Sequence, residues 1–301
     1  MSTTYNEEEL GHIKEAAATL SQVHDATYMY IKELLRDGVK SIDLSDIDKA
    51  VASFISLHKA DPVLFGYPDF QDPEKTFNYT CCISQNSALV HGVPVGNIDF
   101  LTTADIPGRR PLYATTMMPP LPPFTIDIAL RTKAGWCADL ARSYLPVDSS
   151  CLIEGANSAL DMIVTNSEGF RMVTAMRDCL LQLTAKLNAS WTLMDIGIFI
   201  RDFARRNNFT VPTQYGGHGI GRELHMDPHV PCTWATGWAN EKLKSGMVLC
   251  IEPMFIKADS DKLKVDPKDG WTVLLEDESG ICAHQEIMVI IHKDYCEVIG
   301  V

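Results

Sequence analysis

Apolar residues recur near every 3.6 positions between residues 7 and 37, at Ile13, Ala16, Ala17, Leu20, Val23, Ala26, Met29, Ile31, Leu34 and Leu35. That period predicts one long helix with a buried stripe, and Gly38 ends it. A second helix is predicted from Ser45 or Asp46, with Ile47, Ala50, Val51, Phe54 and Ile55 on its apolar face. Residues 61–80 lose the period at Pro62, Pro68 and Pro73 and read as an aromatic-rich loop. Cys81–His91 reads as strand, turn, strand. Asn97–Pro123 contains GRRP and MMPPLPP and reads as a long inserted loop, either a surface feature or a Pro-rich docking segment. A hairpin is predicted at Phe124–Tyr144. Helical periodicity returns over 150–187, through Leu160, Ile163, Phe170, Met172, Val173, Met176, Leu180 and Leu183, and a further helix begins near Asp195.

The chain carries one internal likeness. SIDLSDI at Ser41–Ile47 and SWTLMDI at Ser190–Ile196 match at Ser, Leu, Asp and Ile with an offset of 149. A chance match is one reading. The other is a duplication in which two related halves, about 8–149 and 150–300, form a single domain spanning 1–301. The class is then mixed α/β (α+β), with a pseudo-twofold axis and one curved sheet.

Composition narrows the function classes. With 46% hydrophobic and 22% charged residues the chain has ample core material. A net charge of −13 argues against nucleic acid and anionic membranes as partners. The nine cysteines are scattered and form no CxxC pair, which argues against a zinc finger or a secreted disulfide framework. The start, MSTTYNEEELGHIKEAA, is acidic and lacks the apolar core of a signal peptide. No run of about 18 apolar residues suggests a membrane span. The expected location is the cytoplasm.

The candidate chemistry begins in the hairpin FTIDIALRTKAGWCADLARSY. Asp127 and Asp139 each lie six residues from Lys133. In a hairpin centred there, they stand directly opposite each other on one face, roughly 4.5–5.5 Å apart at Cβ, and repel. Either something positive separates them, or the register slips and one faces solvent. Three further runs supply partners: YGGHGIGRELHMDPHVP holds His218, GMVLCIEPMF holds Glu252 and AHQEIMVII holds Glu286. A charged group in an apolar strand is costly unless paired or bound to metal. Two Asp, two Glu and one His suit two divalent first-row ions better than a cysteine-held zinc.

Asp127, Asp139, His218, Glu252 and Glu286, in this order, together with HGVP at His91–Pro94, GHGIGRELH at Gly217–His225, IEPM at Ile251–Met254 and DGWTV at Asp269–Val273, resemble the type I methionine aminopeptidases. The resemblance covers nearly the whole chain. It implies the pita-bread fold, a curved antiparallel sheet flanked by helices, without the zinc-binding N-terminal extension of larger relatives. It implies a dinuclear metal-dependent aminopeptidase that removes initiator methionine ahead of a small second residue. The cofactors are two divalent ions, Mn, Co, Fe or Zn. Asp139 and Glu286 bridge them, Asp127 holds one, and His218 with Glu252 holds the other. Glu252 shuttles a proton, while His225 and His91 contact the oxyanion and the scissile amide. Phe65, Tyr67, Cys82, Leu224 and Trp271 line the methionine pocket. His229 is expected at the rim. The implied partners are nascent polypeptide N-termini, at the ribosome, and the implied state is a monomer. This chain has Glu286-Ile287 where the family has Glu-His, and Gly216 and Met226 also depart from its pattern. An X-Pro aminopeptidase or prolidase of the same fold, and an inactive binding protein of that fold, are the alternative readings.

Overall fold

The long amphipathic stripe forms the first helix, α1 (Glu7–Arg36). A capping box starts it: the Glu9 N–H donates to Asn6 Oδ1 at 3.0 Å and the Asn6 N–H to Glu9 Oε2 at 2.9 Å. Gly38, at φ +89, lies just beyond the Asp37 cap. Ile13, Ala16, Ala17, Leu20 and Val23 are fully buried, whereas Met29 is exposed and the stripe passes through Thr27 to Ile31. This computed structural model describes residues 3–69, 72–100, 122–146, 167–234 and 241–300. Residues 101–121 of the Pro-rich stretch, and the expected helical start at 150–166 with Leu160 and Ile163, lie outside them.

In order, the remaining elements begin with β1 (Ser41–Asp43), α2 (Leu44–Leu57), β2 (Asp61–Pro62), β3 (Cys81–Gln85), β4 (Ala88–Val90) and β5 (Asn97–Asp99). The hairpin strands β6 (Phe124–Arg131) and β7 (Cys137–Tyr144) precede α3 (Glu168–Thr184) and α4 (Leu193–Arg206). The strands β8 (Gly216–Gly219), β9 (Met226–Pro231), β10 (Val248–Ile251), β11 (Met254–Lys257) and β12 (Leu263–Val265) follow. The last four are β13 (Val273–Leu275), β14 (Ile281–His284), β15 (Ile287–Ile291) and β16 (Cys296–Ile299). The internal likeness falls on α2 and α4: both have 14 residues, their first residues Leu44 and Leu193 are 149 apart, and Asp43 and Thr192 cap them through side-chain oxygens.

Every strand pairing is antiparallel among the described residues. One sheet runs β16-β15-β10-β8-β9, and another sets β2 and β3 on one edge of β6 and β7 on the other. A bridge between Ala141 and Glu286 joins β7 to the start of β15. Two cores result. Val248, Cys250, Met288 and Ile290 pack with α1, α2 and the hairpin, whereas Leu249, Ile251, Val289 and Ile291 pack with α3 and α4. Strands β10 and β15 are therefore covered on both faces, which explains their unbroken apolar runs.

The hairpin register corrects one expectation. Arg131 pairs with Cys137, so the turn occupies residues 132–136 and its centre is Ala134, not Lys133. Thr132 N–H donates to Trp136 O at 2.9 Å, Gly135 N–H to Thr132 O at 2.8 Å, and Gly135 takes φ +80. Asp127 consequently pairs with Ala141, and Asp139 with Ala129. The two aspartates share a face as diagonal neighbours rather than as a direct pair. Each has a small alanine opposite it, which eases the repulsion that direct opposition would impose.

Candidate metal centre

Alternation along the hairpin builds the floor of the site. Phe124, Ile126, Ile128, Leu130, Ala138 and Leu140 join the core beneath α1. Thr125, Asp127, Ala129, Asp139, Ala141 and Ser143 alternate with them and form the opposite face. Small residues there leave room for the carboxylates. Thr125 and Ser143 hydroxyls lie 2.8 Å apart, and both donate to the His284 carbonyl, at 3.2 and 2.5 Å.

The other members come from distant strands that end at this face. His218 sits on β8, Glu252 follows β10, and Glu286 lies between β14 and β15, its N–H donating to Ala141 O at 2.9 Å. His218 Nε2 is 3.5 Å from Asp139 Oδ2 and 3.6 Å from Glu286 Oε1. Asp127, Asp139 and Glu286 each bring one carboxylate oxygen within 4.8 Å of the others. The close approach of β8 to β10 requires Gly217, because a Cβ there would lie 2.0 Å from Cys250 O. The fold brings Asp127, Asp139, His218, Glu252 and Glu286 together at this face.

Sequence reasoning passed over His284 and Cys250. His284 is fully buried at the end of β14, with Nε2 3.7 Å from Asp127 Oδ2 and 3.8 Å from Glu252 Oε1. Cys250 Sγ groups with His218 and Glu286. The available signal was spacing: His284 is two residues before Glu286, and Cys250 two before Glu252.

The cluster's electrostatics call for cations. Burial, reinforced by Asp127, raises the Asp139 carboxyl from 3.8 to about 6. Burial together with Asp127 and Asp139 pushes Glu252 well above the usual carboxylate range. Burial together with Asp139, Glu252 and Asp127 does the same to Glu286. Asp127 differs: burial works to raise it, but His284, His91 and His24 hold it below 3.8. Asp127 Oδ1, Asp139 Oδ1 and Glu286 Oε1 are buried with no hydrogen-bond partner. Such orphaned oxygens are costly unless something positive meets them. Donors roughly 2.1–2.2 Å from one ion at about 110–120° stand roughly 3.4–3.8 Å apart, the spacing His218 keeps from Asp139 and Glu286. The donor set fits divalent ions of the first transition row.

The expected substrate groups divide. His225 lies past the end of β8, where the register with β9 shifts after His218, and its ring centroid is 4.5 Å from that of His218. The odd spacing of the two histidines is thereby absorbed by a bend. Tyr67 Oη lies 2.6 Å from His225 Nδ1. Desolvation, with His218 and His91 nearby, holds the His225 imidazole well below its usual range. His91 takes φ +57, and burial likewise lowers it. Gly92 beside it has no room for a side chain, since a Cβ would lie 2.3 Å from Ile83 O. Cys82 pairs with Asp127 across β3 and β6 and is buried. Leu224 is buried in the core beneath the hairpin. Phe65 is 60% exposed. Trp271 packs on Phe77 with ring centroids 5.3 Å apart, under the Lys75 ammonium. His229 pairs with His218 across β8 and β9 and is half-buried, between surface and core.

Comparison with known proteins gives three findings. The profile described as Metallopeptidase family M24 matches residues 11–293. A methionine aminopeptidase of Mycoplasmoides gallisepticum is 26% identical over 98% of this chain and 97% of its own length. Among solved structures, methionine aminopeptidase from Thermotoga maritima aligns with a TM-score of 0.72 at 22% identity, over 100% of this chain and 99% of that one. Prolidase from Pyrococcus furiosus aligns at 0.62 and 14% identity, over 99% of this chain but 65% of that one. The structural likenesses establish the fold, the pita-bread α/β architecture. Among the described residues no helix is long and apolar enough to cross a membrane.

Proposed function

The chain belongs to metallopeptidase family M24, and from that premise we propose that it is a dinuclear methionine aminopeptidase, releasing N-terminal methionine from nascent proteins and peptides whose second residue is small. The observation that carries this reading is the buried cluster of four carboxylates and His218 with its orphaned oxygens. Four carboxylates carry −4, and two divalent cations offset that charge. Bound there, two such ions, of manganese, cobalt, iron or zinc, would supply an activated water and Lewis-acid polarisation of the scissile carbonyl. Asp139 and Glu286 would serve both ions, Asp127 one of them, and His218 with Glu252 the other.

The chain's own residues handle the protons and the substrate. Glu252, beside the ions, would take a proton from the attacking water and pass it to the leaving amine. With the Tyr67 hydroxyl, 2.6 Å away, donating to His225 Nδ1, the ring proton would sit on Nε2. A neutral imidazole in that tautomer is an oxyanion donor. His91 contacts the amide region. Cys82, Tyr67 and Leu224 line the methionine pocket, with Phe65 and Trp271 as outer wall. The buried carboxylates also receive the substrate's free amine, which restricts cleavage to the first residue. The halves 8–149 and 150–300 form one catalytic domain with pseudo-twofold symmetry. The working site is the cytoplasm, at emerging chains on the ribosome, as a monomer.

A peptide screen tests the reading. Protein loaded with manganese or cobalt is expected to release methionine from Met-Ala-Ser and to spare its N-acetylated form. Cleavage confined to bonds preceding proline would favour a prolidase, the reading that the Pyrococcus furiosus neighbour suggests. No turnover with any of the four metals would favour an inactive binding protein.

A further inference from the structure

The centre contains a second imidazole outside the five-residue set. His284 is held as rigidly as His218. Its Nδ1 lies 2.7 Å from Leu89 O, and its own carbonyl accepts from Thr125 and Ser143. His218 Nδ1 lies 2.9 Å from Gly219 O. A carbonyl only accepts, so in both rings Nδ1 carries the proton and a neutral ring presents its lone pair at Nε2. His284 Nε2 is buried and lacks a hydrogen-bond partner. It points at Asp127 and Glu252 from 3.7 and 3.8 Å, as His218 Nε2 points at Asp139 and Glu286 from 3.5 and 3.6 Å. A lone pair facing two carboxylates is repulsive unless a cation stands between them.

We propose that His284 is a sixth protein ligand, its Nε2 binding the ion that Asp127 holds, so that each ion of the pair has its own imidazole. The proposal rests on the two-ion reading above. The carbonyl on each Nδ1 fixes the tautomer and raises the basicity of the bound nitrogen. A second nitrogen donor shifts the site away from manganese and toward cobalt, iron and zinc. Were His284 instead a protonated spacer between two carboxylates, it would position them without touching metal.

Proton NMR of the full-length protein loaded with cobalt(II) separates these cases. An imidazole bound to the paramagnetic ion through Nε2 carries its Nδ1 proton far outside the normal spectral range, and the carbonyl hydrogen bond slows exchange. Two such exchangeable resonances are expected in the wild type, a count that needs no variant. His284→Gln, which can still donate to the Leu89 carbonyl, is expected to remove one of them. It should also weaken one of two cobalt-binding steps by about 10-fold or more, read by titration with metal analysis. A single resonance that disappears in His218→Ala and persists in His284→Gln would overturn the His284 assignment and leave the two-ion reading standing. Absence of both resonances, with no cobalt retained, would overturn both.

Discussion

Asp139 is a residue whose burial works against the metal-free fold and which the proposed metal centre requires. Its carboxyl is buried beside Asp127 and raised from 3.8 to about 6. A raised carboxylate means the folded state holds the proton more tightly than the unfolded state. Stability of the metal-free protein therefore falls as pH rises from about 4 to about 6, and Glu252 and Glu286, both raised, act in the same direction. Asp127, held low by His284 against its burial, opposes them. Asp139→Asn removes one ionisable carboxyl. Metal analysis is expected to show loss of at least one ion, and activity to fall below detection. In chelator at pH 7.5 the variant should be more stable than wild type by about 1–3 kcal/mol, measured by urea unfolding, with a smaller dependence on pH between 4 and 6. Full metal content with full activity in this variant would contradict the site assignment.

At the scale of elements, the DGW segment acts as a tether. Asp269 Oδ1 accepts the Trp271 and Thr272 N–H groups at 2.7 and 2.8 Å, and Oδ2 accepts the Thr272 hydroxyl at 2.6 Å. Thr272 Oγ1 in turn accepts from the Val93 N–H at 3.2 Å, two residues past His91. Asp269→Ala releases this chain of contacts. Steady-state kinetics are expected to show kcat/KM lower by about 10–100-fold, with two ions still bound. The helices were legible in the sequence because α1, α2 and α4 each show one apolar stripe between caps, as Asn6, Asp43 and Thr192 attest. The hairpin itself was legible, but its register was not. Periodicity of two gives the face of Asp127 and Asp139, while the centre at Ala134 depends on how Thr132 and Trp136 close the turn. His284 escaped notice because ICAH reads as ordinary core strand, and only the fold brings its end against Asp127.

Across the whole molecule, the proposed ligands come from distant parts of the chain: Asp127 and Asp139 from the β6–β7 hairpin, and His218, Glu252, His284 and Glu286 from strands after residue 215. No stretch of sequence contains the centre, so its assembly reports that the entire chain has folded. The double covering of β10 and β15 carries this further. Val248, Cys250, Met288 and Ile290 lie after residue 150 in the sequence but pack in one core with α1, α2 and the hairpin. Expressed alone, fragment 150–301 would leave that greasy wall bare and fragment 1–149 would leave its counterpart unclothed, so neither is expected to stay in solution. Produced together, the fragments should find one another and co-purify as a metal-retaining, active pair, a polypeptide cut in two yet still a single enzyme.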